Sequence, residues 1–182
     1  MPKKRLFVGT LTSVVGLEEV REFIDSLGIV GKWVEKENLH FTYRFLGDVE
    51  EEKIKGIAGM LRGRLKGVRA PTVEYRGLGV FPSLRSPRVL WVGVESETIY
   101  EVKRRVDMAL LPFGFPPEEG FTPHLTLLRI KKMRHQTRFK NYIFKMREHL
   151  FERKVEAKVC LIESKLTPRG PVYSVLEEIL LD

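Results

Sequence analysis

One segment, Leu39 to Leu46, does most to constrain how this chain can fold. Leu39, Phe41, Tyr43 and Phe45 alternate with His40, Thr42 and Arg44, and period-two alternation specifies a β-strand with one face on a core and a polar face opposite. Such a strand needs partners, and the rest of the chain supplies them. Leu6 to Thr10, a short piece at Trp33-Val34, Thr72 to Val80, Val89 to Val94, about His124 to Ile130, Val155 to Glu163 and Val172 to Leu176 all read as strands. Between them lie helical spacings: Leu17 to Leu27 stopped by Gly28, Glu50 to Leu65, Ile99 to Leu111 ended by prolines, and a helix within Arg138 to Leu150. Gly47-Asp48 is expected to end the Leu39 strand, and Thr167-Pro168-Arg169-Gly170 to turn between the last two strands. Strands at hairpin-like separation mixed with helices predict an α+β fold with mostly antiparallel sheets.

No linker or low-complexity tract divides the chain, so residues 1–182 are expected to form a single domain. At 182 residues and 43% apolar, it can bury roughly 70% of the surface its unfolded form exposes. The longest apolar stretches are far shorter than the ~20 residues of a membrane span. The start, Met1-Pro2-Lys3-Lys4-Arg5, runs straight into the first strand without the apolar region of a secretory signal, which points to a cytoplasmic protein. A lone cysteine, Cys160, excludes an internal disulfide and a multi-cysteine zinc site, and its apolar neighbours make it a core residue.

Lys and Arg number 32 against 24 Asp and Glu, a net charge of +8 that favours polyanionic partners. That excess is local. From Arg129 to Arg147 there are eight cations and no Asp or Glu, so this one segment equals the whole surplus.

The chemistry lies in two echoes. His40-Phe41-Thr42 and His124-Leu125-Thr126 each place a histidine and a threonine two apart in a strand pattern, hence on one face and about 6.5–7 Å from each other, so one phosphate-sized group can meet both. A third His-x-Thr, at His135, sits among Lys131, Lys132, Arg134 and Arg138 without apolar alternation and reads as a solvated loop or helix start. His149 reads as a helix C-terminal cap. Spacing alone leaves two readings of His40 and His124 open, a catalytic pair or the polar face of an ordinary half-exposed strand. No dense His/Asp/Glu cluster, P-loop or dinucleotide fingerprint suggests a metal, ATP or another cofactor.

His40-Phe41-Thr42-Tyr43-Arg44-Phe45-Leu46-Gly47, followed by Thr122-Pro123-His124-Leu125-Thr126-Leu127-Leu128-Arg129, resembles the paired signature of the two-histidine phosphoesterase superfamily. The match extends to Arg5-Leu6-Phe7-Val8, Asn38-Leu39-His40, Phe81-Pro82, Val89 to Val94 and Leu161 to Ser164, and is nearest to the RNA 2',3'-cyclic phosphodiesterases also called 2'-5' RNA ligases. Tyr43 departs from the family's usual leucine. The resemblance implies a bilobal α+β fold: two pseudo-symmetric, mostly antiparallel sheets flank a central cleft, with helices on the outer faces. It implies no metal and no cofactor, RNA ending in a 2',3'-cyclic phosphate or a 2'-phosphate as partner, and metal-independent hydrolysis of the cyclic phosphate to a 2'-phosphate.

In that reading His40 and His124 are catalytic; pseudo-symmetry leaves either able to act as acid or base, and His40 as acid with His124 as base is the preferred assignment for hydrolysis to a 2'-phosphate. Thr42 and Thr126 donate to phosphate oxygens, and Arg129 is the cationic clamp. By strict alternation Arg129 would point away from His124, so the strand must end or bulge by Leu128 for it to reach the site. Arg44 shares the active face by alternation and is a further phosphate candidate, or else it pairs with an acid at the cleft rim. Lys131, Lys132 and Arg134 are candidates for the RNA tail. Ligation through a 2'-5' linkage, the reverse reaction, and a non-catalytic module that grips RNA ends are the alternatives. A monomer is expected.

Overall fold

Nine strands and four α-helices make up the computed structural model, which describes all 182 residues. In chain order these are β1 (Lys3–Leu11), α1 (Leu17–Ser26), β2 (Val30–Trp33), β3 (His40–Glu50), α2 (Glu51–Leu65), β4 (Thr72–Phe81) and β5 (Val89–Glu95). The remainder are α3 (Ile99–Leu110), β6 (His124–Lys132), α4 (Gln136–Lys145), β7 (Leu150–Val155), β8 (Lys158–Thr167) and β9 (Gly170–Leu180). All pairings are antiparallel, in one sheet ordered β3-β1-β8-β9 and a second ordered β2-β6-β5-β4-β7. The expected α+β architecture is the observed one. No helix is long and apolar enough to cross a membrane.

The helices cover the sheets crosswise. α3 packs on α2 and β3 of the first sheet although it follows β5 of the second. α1 follows β1 of the first sheet, yet its Phe23 stacks on Tyr142 of α4 at 4.1 Å, and α4 lies on β4 of the second. The backbone therefore passes between the two halves six times, and a single cluster of 38 buried apolar residues runs through both.

Several elements differ from expectation. Gly47 does not end β3; it takes a left-handed φ of 68° and the strand continues to Glu50. α4 starts earlier and stops at Lys145, and a strand not anticipated, β7, begins at Leu150. His149 is consequently no helix cap: its carbonyl accepts the Gly77 amide, and its ring meets Phe151 edge-on at 4.7 Å. His135 does occupy the turn that opens α4. Cys160 is buried, and burial pushes its thiol up to about 11, so it is a core residue.

The cleanest alternation in the sequence is also where strict alternation fails. Along β1, Val8 pairs with Arg44 but Gly9 pairs with Thr42, which leaves Tyr43 as the extra residue of a β-bulge. The bulge puts Tyr43 and Arg44 both on the core side and turns Phe45 outward, 56% exposed. The same irregularity recurs 84 positions later. Leu90 pairs with Leu128 and Trp91 with Thr126, so Leu127 is the extra residue, Leu127 and Leu128 are buried, and Arg129 turns outward. β3 and β6 thus share one pattern: histidine, core residue, threonine, two core residues, then an outward residue.

Candidate active site

β3 and β6 run against each other between the sheets and bound a cleft of about 430 Å³. His40, Thr42, His124, Thr126 and Arg129 all line it. The bulge after Thr126 supplies the turn that Arg129 requires. Its counterpart in β3 turns Arg44 toward the core side and Phe45 outward, and both still line the cleft wall beside His40 and Thr42.

Each imidazole is fixed in the same way. His40 Nδ1 lies 2.7 Å from the Asn38 carbonyl and His124 Nδ1 lies 3.2 Å from the Thr122 carbonyl, in both cases two residues upstream. A carbonyl can only accept, so Nδ1 carries the proton in both rings and Nε2 is left free to take or give one. Aromatic side chains hold the ring planes. His40 sits against Phe7 at 4.8 Å and edge-on to Tyr173 at 5.3 Å; His124 sits edge-on to Phe81 at 5.0 Å and 6.4 Å from Trp91. Gly79 makes the second cradle possible, because a Cβ there would overlap the Trp91 ring.

The surroundings of His40 act on its titration. Burial holds His40 below the ordinary histidine value; the bond to the Asn38 carbonyl opposes that shift, and the nearby charges of His124 and Arg129 reinforce it. Burial therefore favours the neutral imidazole of His40 in the free protein.

Arg44 is spent on a buried ion cluster. Its Nη1 lies 3.3 Å from Asp107 and its Nε makes an unaligned ion contact of 3.2 Å with Glu118. Lys103, equally buried, donates to Asp107 at 3.0 Å, to Glu118 at 3.2 Å and to the Tyr43 carbonyl at 3.0 Å. Two cations meet two carboxylates, and the cluster ties α3 and the loop bearing Glu118 to the bulge of β3. Arg44 pairs with acids at the cleft wall, one of the two roles open to it, and Nη1 carries its one aligned hydrogen bond.

Lys131, Lys132 and Arg134 are all exposed, but none lines the cleft. Two cations that sequence reasoning missed do: Lys32 of β2 and Arg169 of the β8–β9 turn. Phe7, Phe45, Tyr173, Phe81 and Trp91 were not singled out either, although Phe7 and Trp91 lie one 84-residue step apart and each backs a histidine. No three His, Cys, Asp or Glu side chains converge as metal ligands would.

Two facing sheets, each presenting a histidine and a threonine on a bulged strand, define a two-histidine phosphoesterase. The family model described as LigT like phosphoesterase matches the chain twice, over residues 14–91 and 92–173, and the chain belongs to that family. It is 37% identical over 162 residues to an RNA 2',3'-cyclic phosphodiesterase of Methanothermobacter thermautotrophicus, covering 88% of each chain. It is also 37% identical over 184 residues to one of Aquifex aeolicus, covering 97% of each. The crystal structure of a Thermus thermophilus protein superposes with a TM-score of 0.73 at 28% identity and 97% coverage of both chains. E. coli LigT complexed with 3'-AMP shares the fold, with a TM-score of 0.72 at 22% identity and 99% coverage of both.

Proposed function

We propose that this protein hydrolyses the 2',3'-cyclic phosphate at the end of an RNA, leaving a 2'-phosphate and a free 3'-hydroxyl, without a metal. The observation that carries the reading is the matched tethering of His40 and His124 by backbone carbonyls, which leaves two free Nε2 atoms in one cleft beside two threonine hydroxyls. The names of relatives that cover most of the chain support the same substrate class.

The chemistry needs a proton removed from water and one delivered to the leaving oxygen. His124 Nε2 takes the proton as the water oxygen bonds to phosphorus; the P–O3' bond breaks, and His40 Nε2 gives its proton to O3'. Solvent then returns a proton to His40 and removes one from His124. Burial makes the His40 imidazolium a stronger acid than an ordinary histidine, and the bound phosphate anion supplies the field that keeps it protonated when substrate is present. Thr42 and Thr126 donate to the nonbridging oxygens, where charge grows in the transition state, and Arg129 balances that charge. Lys131, Lys132 and Arg134 lie beyond the cleft and serve only RNA long enough to reach them.

The test is turnover of a 2',3'-cyclic nucleotide in EDTA, with the product identified. A 2'-phosphate is expected, and His40→Ala or His124→Ala should each cost about 10²- to 10⁴-fold. Dependence on metal, or full activity in either variant, would refute the mechanism. A 3'-phosphate product would reverse which oxygen leaves. Binding without turnover would leave a module that only grips RNA ends.

A further inference from the structure

Lys32, Arg129 and Arg169 line the cleft, and none of the three forms an ion pair. Lys32 lies directly opposite Arg129 in the β2–β6 ladder, so their side chains leave the sheet roughly 5 Å apart on one face. Arg169 arrives from the other sheet, at the tip of the β8–β9 turn.

That tip is fixed in place. The Arg169 amide donates to Thr167 Oγ1 at 3.2 Å, Thr167 Oγ1 donates to the Gly170 carbonyl at 2.6 Å, and Lys32 Nζ donates to the Arg169 carbonyl. Gly170, at a φ of 110°, is what lets the lysine cross, since a Cβ there would overlap its ammonium. Lys32 keeps two donors after this bond, and the Arg169 guanidinium keeps all of its own. Uncompensated cations of both sheets thus converge on one wall of the cleft, next to the residue proposed to clamp the reacting phosphate. Of the carboxylates in the lining, Glu118 is already bound to Arg44 and Lys103, and Glu35 pairs with no cation.

We propose that Lys32 and Arg169 form a second phosphate subsite, which holds the phosphodiester one nucleotide upstream of the cyclic phosphate. A 2',3'-cyclic phosphate is by its chemistry the 3' end of its chain, so any further phosphate in the cleft lies on its 5' side. The preferred substrate is therefore an oligoribonucleotide with at least one internal linkage, not a cyclic mononucleotide. This inference rests on the hydrolase reading above.

The experiment compares kcat/KM for adenosine 2',3'-cyclic phosphate, for the ApA dinucleotide ending in a 2',3'-cyclic phosphate, and for the same dinucleotide with an uncharged methylphosphonate linkage. The wild-type protein should favour the charged dinucleotide by about tenfold or more, as charge-assisted contacts to one phosphate allow. The methylphosphonate should lose that advantage. Arg169→Gln, which keeps the backbone contacts of the turn, should abolish the difference between the two dinucleotides and leave the mononucleotide unchanged. Lys32→Met should act in the same direction. Equal wild-type rates on the charged and uncharged dinucleotides, or equal losses on all three substrates in Arg169→Gln, would overturn the subsite. Failure of the underlying reading looks different, because the wild-type protein would then turn over none of the three.

Discussion

Asp107→Ala removes the buried carboxylate shared by Arg44 and Lys103, whose side chains are 8% and 7% exposed. What remains is Glu118, half-exposed, which already contacts both cations through one oxygen at 3.2 Å. Two buried positive charges would then face a single solvated carboxylate. Stranding a buried charge costs about 3–5 kcal/mol. In a chain of this size each kcal/mol lowers Tm by roughly 2–4 °C, so Tm should fall by about 6–20 °C, measured by circular dichroism. Replacing the cluster with apolar groups, as Arg44→Met, Lys103→Met and Asp107→Ala together, should recover most of that loss. Recovery stays incomplete because the Tyr43 carbonyl loses the Lys103 bond, at about 1–3 kcal/mol. A drop below about 3 °C for the single variant would refute the claim that the cluster is an interdependent buried unit and not a set of solvated pairs.

Two further outcomes are expected. By proton NMR, His40 should titrate below the ordinary histidine value, and Arg129→Gln should raise it by removing a nearby positive charge; the sign for stability follows, with full stability above the unfolded-state value and loss as pH falls through the lower folded one. Gly79→Ala, measured by thermal unfolding and turnover, should destabilise the fold and impair activity together, because the new methyl displaces the Trp91 ring that backs His124.

The strands and helices were legible wherever periodicity ran unbroken, as in α2, β5 and α3. The candidate site was legible because its chemistry is local: each histidine stands two residues from its threonine and two from the carbonyl that orients it. A bulge leaves no mark of its own in the sequence. One was expected in β6 because Arg129 had to reach the cleft, while β3, with no such demand on it, was read as strictly alternating, which put Phe45 on the core face and Arg44 on the active face. The repeat itself held the correction, since Arg44 and Leu128 stand at the same offset from their histidines. β7 was missed because the charged stretch Lys145 to Glu148 conceals the end of α4. Lys32 and Arg169 were out of reach for a different reason: they meet across 137 residues of chain, and only the packing of two sheets brings them to one wall.

The six passages of backbone between the halves make the cleft a fixed aperture. Hinged enzymes join their halves by a few segments that absorb the rotation, and they assemble the reacting groups only on closing. Here each half carries a helix that follows a strand of the other, and the buried cluster is continuous through both, so prising the sheets apart would mean breaking the core. The fold thus offers no pair of linkers about which the two sheets could hinge shut. The distance between the two imidazoles is set when the chain folds, and the orientation that other enzymes obtain from a moving lid is already built into the folded chain.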